Sequence, residues 1–501
     1  MSNTDLIIYN GINELQPLAI PRALTGFQIG LAPVVNEGVI FLDHVAPPCD
    51  HYRLPGGTIA NWARCSMPSN LGWNIDPDHV KPGDPTEALL ETQDKMSRGV
   101  TPAYSYAAKT ALSSGGPGRY ALVVNLMFTD SFAVRAEADF KNLTGNPVKA
   151  QVRYVEFSNE WWLPNYRGRV LEQDIETEEQ AAVERQIIID RANVVREVIS
   201  RYCAESNLPI PVFVWPYALR EDRGQLFAAH NEAVIQAMQP GDAVAIHDYF
   251  IDHWQELGRK DYASDASDFS VLQRAVNAYS YEVFEARFKA IQAELPAGTP
   301  LAVNEWSLKT RGAGWKGSIA EAIFTAKYIS YLIRFEAEYP GSILAASFQN
   351  VYSDTNGPGI YTKQGSAYLL DASGIVLSTL YNFVNLSDSV HVIRARFKSL
   401  RDGLSAQVDS GLVHYFGLFC PSSGVRLFIF ANASGEDIDI DAKGEGGELV
   451  QISGNLPSDY IGPDFPQLGP RDRATFEDSL HDGTFTVKAL SVGLFTLKTT
   501  Q

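Results

Sequence analysis

Short apolar runs alternate with longer amphipathic segments through the first three quarters of the chain. The apolar runs are rich in β-branched and aromatic residues and end in polar or turn-forming residues, which is typical of buried parallel strands. This pattern predicts eight strands, at 24–30, 51–57, 120–128, 152–160, 211–218, 243–250, 301–308 and 343–350.

Helical patterns separate several of these runs. The clearest lie at 178–205 and 318–339, where apolar residues recur at spacings of three and four. Strands that alternate with helices favour right-handed βαβ units, and eight such strands favour a closed (β/α)8 TIM barrel of the α/β class. We expect this catalytic barrel to span residues 21–386.

The pattern of apolar and polar residues changes after residue 386, where helical patterns are replaced by short alternating runs such as "GLVHYFGLF" and "GVRLFIFAN". Strands at this spacing, separated by Gly, Ser, Asp and Pro, predict an antiparallel β-sandwich domain at 387–501. The N-terminal segment 1–20 contains "DLIIYN", which has no helix of its own. We expect it to add a strand to the sandwich.

Composition and charge narrow the class of protein. The 501 residues are 45% hydrophobic and 20% charged, and the formal charge of −18 disfavours binding to nucleic acid or to anionic membranes. The four cysteines are scattered, so we expect reduced thiols rather than a disulfide scaffold. The N-terminus lacks a signal-peptide pattern and no apolar run reaches membrane-spanning length, so a cytoplasmic location is expected, with secretion by another route left open.

Two strand ends carry a carboxylate. "VRYVEFSNEWW" ends with Asn159 and Glu160, and "LAVNEW" contains Asn304 and Glu305. Active sites of (β/α)8 barrels lie at the C-terminal ends of the strands, so both glutamates are candidate catalytic residues. The alternative for each is an ordinary surface residue or one half of an ion pair.

Period-two alternation places Glu305 on the face of Leu301 and Val303, and it places Glu160 on the face of Tyr154. The two glutamates are therefore expected to face each other across the barrel mouth. That arrangement suits glycoside hydrolysis, in which one carboxylic acid protonates the leaving oxygen and the other carboxylate attacks the anomeric carbon. Glu156, four residues before Glu160 and on the same predicted face of the strand, is interpreted as structural and as a partner of Arg53.

Four motifs together resemble a known group of enzymes: "RLPGGTIANWA", "YVEFSNE", "IHDYF" and "NEWSL". The pattern resembles the clan A glycoside hydrolases, which are retaining (β/α)8 enzymes. Within the clan the chain looks most like the family 51 α-L-arabinofuranosidase type, with families 39, 44 and 79 as near neighbours. The resemblance covers nearly the whole chain, including the C-terminal sandwich.

The resemblance implies roles for five residues. Glu160 would be the acid/base, Glu305 the nucleophile, Asn159 a ligand of a substrate hydroxyl, and Tyr249 a partner of the nucleophile. Arg53 would support the ionised state of the nucleophile.

The chain departs from the family pattern at three positions. Ser158 replaces the usual Gly before Asn-Glu, Asn304 replaces an Asp before the nucleophile, and Thr58 stands where an Asn is common. Asn304 is interpreted as a capping or pairing residue. Arabinose specificity does not follow from this pattern, so the sugar, the anomeric configuration and exo or endo attack remain open.

Further candidate substrate-binding residues are His247, Trp161, Trp162, Trp306 and Gln349. Tryptophans offer flat apolar faces to sugar rings, and the alternative for each is packing within the core or a loop. Gln349 ends the eighth strand and is a candidate to hydrogen-bond substrate hydroxyl groups, with a structural role as the alternative.

Other kinds of chemistry have less support. "HDYFIDH" contains enough ligand types for a metal, but a strand-to-loop run does not by itself bring them together, so we expect no metal and no cofactor. No Gly-x-Ser-x-Gly motif indicates a serine hydrolase. The expected partner is an oligosaccharide or polysaccharide substrate, and the oligomeric state is open. The alternative function is a noncatalytic carbohydrate-binding or structural protein on a glycosidase-like barrel.

Overall fold

The computed structural model describes residues 6–9, 21–28, 49–54, 63–64, 74–75, 119–127, 132–145, 149–162, 170–171, 173, 175–219, 225–249, 267–308, 315–349, 352–353, 360–364, 367–386, 389–393, 396–399, 404–409, 411–462 and 472–498. Structural statements refer to these residues.

Eight parallel strands form a closed barrel, which confirms the predicted fold class. Numbered in chain order, the first eleven strands are β1 Leu6–Tyr9, β2 Gly26–Gln28, β3 His51–Leu54, β4 Ala63–Arg64, β5 Asn74–Ile75, β6 Arg119–Val124, β7 Gln151–Phe157, β8 Val212–Pro216, β9 Ala243–Tyr249, β10 Leu301–Ser307 and β11 Ile343–Phe348. The barrel is closed in the order β10-β11-β2-β3-β6-β7-β8-β9, while β4 and β5 pair separately. Each predicted barrel strand contains one of the observed ones or overlaps most of it.

Helices cover the barrel. They are α1 Phe132–Thr144, α2 Glu178–Ser206, α3 Gln225–Ala237, α4 Phe269–Ala278, α5 Tyr281–Glu294, α6 Ile319–Glu338 and α7 Ala372–Leu386, while the short α8 Leu404–Asp409 packs against the C-terminal sheet. Helix α2 begins with a capping box between Thr177 and Gln180, which satisfies donors at its first turn. None of the described helices combines the length and the apolarity needed to cross a bilayer.

The barrel interior is lined by small residues at several positions. Ala121, Ala245, Ala302 and Ala345 form a cluster with the ring of Tyr154. These small side chains leave space along the axis for larger polar ones, and several polar side chains inside the barrel are completely buried. The core between barrel and helices is, in contrast, built from larger apolar residues.

Strict alternation gave the wrong face for Glu305. Leu301 and Val303 are completely buried in the core beneath the helices, whereas Ala302 belongs to the cluster inside the barrel. A glutamate on the face of Leu301 and Val303 would point away from the barrel axis.

A β-bulge at Asn304 turns Glu305 to the face opposite the one that strict alternation predicts. The pairing of β10 with β9 advances from Val303 to Glu305 on one strand while it advances only from Ile246 to His247 on the other. The extra residue turns both Asn304 and Glu305 towards the polar groups inside the barrel. Bulges of this kind change the direction of a side chain beside functional sites.

The C-terminal segment forms a curled, mainly antiparallel sheet, as predicted for the β-sandwich. The remaining strands are β12 Tyr352–Ser353, β13 Tyr361–Gln364, β14 Ala367–Leu370, β15 His391–Ile393, β16 Arg396–Ser399, β17 Val413–Cys420, β18 Val425–Asn432, β19 Ile438–Ser453, β20 Thr475–Val487 and β21 Ser491–Lys498. Strands β12 to β14 form a small sheet of their own, and β15 to β21 form the large sheet together with β1. Strand β1 pairs antiparallel with β16 and parallel with β19. The exact domain boundaries stay a prediction.

Strand β18 is buried on both faces. Phe428 and Phe430 belong to the core inside the curled sheet, whereas Leu427 and Ile429 belong to the core that the barrel helices share. Strands β18 and β21 both pack against α6. The sandwich therefore rests on the barrel through continuous apolar packing.

Candidate active site

Glu305 lies at the end of β10 with donors around both carboxylate oxygens. Arg53 Nη1 donates to Oε1 at 2.8 Å, the Tyr249 hydroxyl donates to Oε2, and Gln349 Nε2 lies 3.4 Å from Oε2. The glutamate side chain is 3% exposed. A buried group that accepts several hydrogen bonds, one of them from a guanidinium, is held in an environment complementary to a carboxylate.

Arg53 is the centre of a completely buried polar cluster. Besides Glu305, its guanidinium contacts Glu156 through Nε at 2.7 Å and through Nη2 at 2.6 Å. It also donates to Gln28 Oε1 at 2.6 Å and to Asn159 Oδ1 at 2.7 Å. Burial opposes the charge on Arg53, but Glu156 and Glu305 outweigh burial and raise the pKa of the guanidinium.

A second layer of hydrogen bonds holds Glu156 from below. Asn304 Nδ2 donates to Glu156 Oε2 at 2.5 Å, and Asn304 Oδ1 accepts from the Tyr154 hydroxyl at 2.6 Å. All three side chains are completely buried. The sequence predicted the pair of Glu156 with Arg53 but did not assign Tyr154 or Gln28 to the site. The available signal was the inward face of β7, on which Tyr154 and Glu156 are two residues apart.

Glu160 lies in a strained turn that follows β7. The strand ends at Phe157, and both Ser158 and Glu160 have positive φ angles, of 64° and 41°. The period-two alternation of a strand therefore stops at Phe157, and it cannot be used to place Glu160 on a face of the strand. The left-handed region is costly for residues other than glycine, which gives a physical reason for the glycine of the family pattern at position 158.

Ser158 compensates for its unfavourable backbone with its side chain. Its hydroxyl accepts from the Leu126 N–H at 2.8 Å and donates to the Val124 carbonyl at 3.1 Å. The backbone N–H of Ser158 also reaches the Val124 carbonyl at 2.9 Å. These contacts fasten the turn that bears Glu160 to the end of the neighbouring strand β6.

One imidazole nitrogen lies close to both glutamates. His247 Nδ1 is 3.0 Å from Glu160 Oε1 and 3.7 Å from Glu305 Oε2. These two carboxylate oxygens are consequently at most 6.7 Å apart, which is the sum of the two distances. The Glu160 side chain is 23% exposed, so it is more open to solvent than Glu305.

The two carboxylates influence the groups beside them. Burial lowers the pKa of His247, but Glu305 and Glu160 together outweigh burial and raise it above the usual value of 6.5. Burial raises the pKa of the Tyr249 hydroxyl far above its usual value, and the same two glutamates raise it further. Tyr249 is therefore a neutral hydrogen-bond donor over the physiological range.

The predicted tryptophans occupy different surroundings. Trp161 packs edge-on against His230 with ring centroids 4.2 Å apart, and Trp162 follows it beside the same histidine. Trp306 lies on the helix side of β10, stacked on Tyr328 of α6, and the structure does not bring its ring to the carboxylates. Trp161 and Trp306 are nearly completely buried, so their surroundings are those of packing residues.

The structure thus brings Arg53, Asn159, His247, Tyr249 and Gln349 to the two glutamates and leaves Trp306 outside this group. Their roles towards a substrate stay predictions. Thr58 lies outside the described residues.

No group of three or more His, Cys, Asp or Glu side chains in the described part of the chain is arranged to hold a metal ion. Within "HDYFIDH", Asp252 and His253 lie outside the described residues. Asp248 is buried and accepts from the Tyr328 hydroxyl at 2.8 Å, so it faces the helix layer rather than the site.

Comparison with known proteins gives a match in structure but none in sequence. No family model matches the chain, and no curated protein matches it. A family 51 alpha-L-arabinofuranosidase from Bifidobacterium longum superposes with a TM-score of 0.61 at 11% identity, over 99% of this chain and 100% of that one. An alpha-L-arabinofuranosidase from Thermotoga maritima gives 0.59 at 12% identity, over 99% of each chain.

A glycoside hydrolase family 44 endoglucanase from Clostridium acetobutylium superposes with a TM-score of 0.57 at 10% identity, over 99% of this chain and 100% of that one. The chain has the fold of these glycoside hydrolases. The resemblance found in the sequence motifs, to family 51 with family 44 nearby, is therefore confirmed at the level of the fold. Sequence identities this low support a shared fold only. The chemistry therefore depends on the residues of the site.

Proposed function

We propose that this protein is a retaining glycoside hydrolase that uses Glu305 as the nucleophile and Glu160 as the acid/base. The observation that carries the proposal is the approach of both glutamates to His247 Nδ1, which places Glu160 Oε1 within 6.7 Å of Glu305 Oε2. Retaining sites hold their carboxyl groups about 5 to 5.5 Å apart, whereas inverting sites need about 6.5 to 9.5 Å to admit a water molecule. A single ring atom that lies near both carboxylates favours the shorter, retaining spacing.

The surroundings of the two glutamates support this division of roles. Glu305 is buried against a guanidinium, a phenol and an amide, which orient a carboxylate for attack on the anomeric carbon. Glu160 is partly exposed and contacts His247, so it has access to solvent for proton exchange.

The reaction then has two steps. In the first, Glu160 donates its proton to the leaving oxygen as Glu305 forms a bond to the anomeric carbon and the glycosidic bond breaks. In the second, Glu160 takes a proton from water, the water oxygen attacks the anomeric carbon, and Glu305 leaves as a carboxylate. Arg53 and Tyr249 retain their contacts with Glu305 and stabilise the charge that returns to it.

The substrate is proposed to be an arabinofuranoside or a related glycoside that the same mechanism cleaves. The similar structures support a carbohydrate substrate, because those proteins are described as arabinofuranosidases and an endoglucanase. These activities differ in their sugars, so the fold does not select among them.

A panel of aryl glycosides tests the proposal, with arabinofuranoside, xyloside, glucoside, galactoside and glucuronide as substrates. We expect turnover on at least one, and we expect Glu305→Gln to abolish most of it while leaving the fold intact, because the amide keeps the shape and removes the attacking charge. Near-normal turnover by Glu305→Gln would contradict the assignment. A folded protein inactive across the panel would favour the noncatalytic carbohydrate-binding alternative.

A further inference from the structure

A cavity of about 910 Å³ lies at the end of the barrel opposite the candidate active site. Its wall includes Arg119 and Gln151, which are the first residues of β6 and β7. Glu160 and Glu305, in contrast, lie at or after the C-terminal ends of their strands. The volume lies within the range of small-molecule pockets, about 300 to 1,000 Å³.

Positive charge is concentrated at this cavity. Arg119, Lys149 and Arg153 all line it, although the chain as a whole carries a formal charge of −18. The Arg119 side chain is 38% exposed and that of Arg153 is 26% exposed, so both side chains are partly open to solvent. Lys149 is also exposed.

A single carboxylate meets the two guanidiniums. Arg119 Nη1 donates to Asp50 Oδ1, and Arg153 Nη2 lies 2.6 Å from Asp50 Oδ2. Burial raises the pKa of Asp50, but His51 and the two arginines outweigh burial and hold it well below its usual value. His51 adds no positive charge at neutral pH, because burial lowers its pKa. With Lys149 included, three cations among the described residues lie around the Asp50 carboxylate.

The remaining wall is apolar. Phe140, Leu208 and Pro209 line the cavity together with the cationic side chains. An inorganic ion would satisfy the guanidiniums but would leave this apolar surface in contact with water. A ligand with both an anionic group and an apolar body fits both halves of the wall.

We propose that this cavity binds a small organic anion, whose carboxylate or phosphate group contacts Arg119, Arg153 and Lys149 and whose body packs against Phe140 and Leu208. Guanidiniums bind either group through paired N–H donors, so the two share one recognition chemistry. The site is separate from the candidate active site, and the proposal does not depend on the proposed hydrolase activity.

Isothermal titration calorimetry on the full chain at constant ionic strength tests the proposal. The probes are phenyl phosphate, benzoate, inorganic phosphate and neutral benzyl alcohol. We expect saturable binding with a stoichiometry of one for phenyl phosphate, benzoate or both, weaker binding of inorganic phosphate, and none of benzyl alcohol. The relative affinities for phenyl phosphate and benzoate distinguish a phosphate-preferring site from a carboxylate-preferring one.

Substitutions identify the site. Lys149→Gln and Arg119→Gln should each weaken binding about tenfold, through loss of one charge-assisted contact. Lys289→Gln, a charge-matched control on α5 whose amine contacts Glu285, should leave binding unchanged. Glu305→Gln should also bind normally because it lies at the other end of the barrel.

Several results would overturn the proposal. They are no saturable binding of either aromatic anion, equal binding of benzyl alcohol, or wild-type affinity in Lys149→Gln. A changed affinity in Glu305→Gln would assign the anion to the active site instead and would equally reject this cavity. If Arg119→Gln fails to fold, the exposed Lys149 variant decides the question alone.

Discussion

Asn304 Nδ2 donates to Glu156 Oε2 at 2.5 Å, so the residue before the proposed nucleophile holds the anion that in turn holds Arg53. The amide fits because it presents a donor to Glu156 and an acceptor to Tyr154. A carboxylate at position 304 could present a donor to Glu156 only while protonated.

Asn304→Asp should therefore make the stability of the protein depend on pH in a new way. Burial and the neighbouring Glu156 should keep a proton on the pair in the folded state, whereas an unfolded Asp is ionised above about pH 4. The folded state then holds the extra proton, so the free energy of unfolding should fall as pH rises. Urea unfolding at pH 5.5 and 8 measures this.

Asn304→Ala serves as the control for that experiment. It removes both hydrogen bonds and introduces no ionisable group, so its destabilisation relative to wild type should be similar at the two pH values. If Asn304→Asp loses no more stability at pH 8 than at pH 5.5, relative to wild type, the contact with Glu156 does not act as described.

Ser158 offers a matched pair of substitutions in the turn that bears Glu160. Ser158→Ala removes the hydroxyl contacts with Leu126 and Val124 but keeps a side chain at φ 64°, so we expect a loss of about 1 to 3 kcal/mol. Ser158→Gly removes the same contacts and relieves the backbone strain, so its loss should be smaller. Chemical denaturation measures the unfolding free energy of both variants. A glycine variant less stable than the alanine variant would show that the backbone at position 158 is not strained.

His247 should contribute to stability most strongly at low pH. Its pKa is raised in the folded state by Glu305 and Glu160 against the effect of burial. The stabilisation by the protonated ring is fully present below the unfolded value of 6.5 and is lost as pH rises through the raised folded value.

The difference in unfolding free energy between wild type and His247→Gln should accordingly be larger at pH 6 than at pH 8.5. Thermal or urea unfolding at both values provides the measurement. A difference that stays constant or grows with pH would show that the imidazole does not take up its proton between the two carboxylates.

Sequence patterns predicted the architecture because buried parallel strands have continuous apolar runs that alternate with helices. The same patterns gave the wrong face for Glu305, because the bulge at Asn304 interrupts alternation and no local residue signal marks it. Alternation also failed beyond Phe157, where positive φ angles replace the extended backbone.

Contacts across the barrel were harder to predict. The pair of Arg53 with Glu156 was predicted, since opposite charges inside a barrel require partners. The contact of Tyr154 with Asn304 depends on the relative heights of β7 and β10, which sequence does not show. Trp306 was a candidate for substrate contact because it falls in a strand-end segment, with core packing as the alternative, and its ring packs on the helix side of β10.

The acid/base role of Glu160 predicts a dependence on the leaving group. Glu160→Ala should slow substrates with poor leaving groups far more than activated aryl glycosides, because a good leaving group needs little protonation. Added azide should restore part of the rate by attacking the glycosyl intermediate in place of activated water. Equal losses on both substrate types, with no azide product, would remove Glu160 from this role.

The stereochemistry of hydrolysis tests the central claim most directly, because it reports on both glutamates together. Direct attack by Glu305 followed by attack of water, with Glu160 as the base, gives two inversions and so a product of retained configuration. Proton NMR of the first-formed anomer, recorded before mutarotation on the aryl glycoside that the panel identifies, measures the outcome. The account predicts retention, and an inverted first product would contradict it.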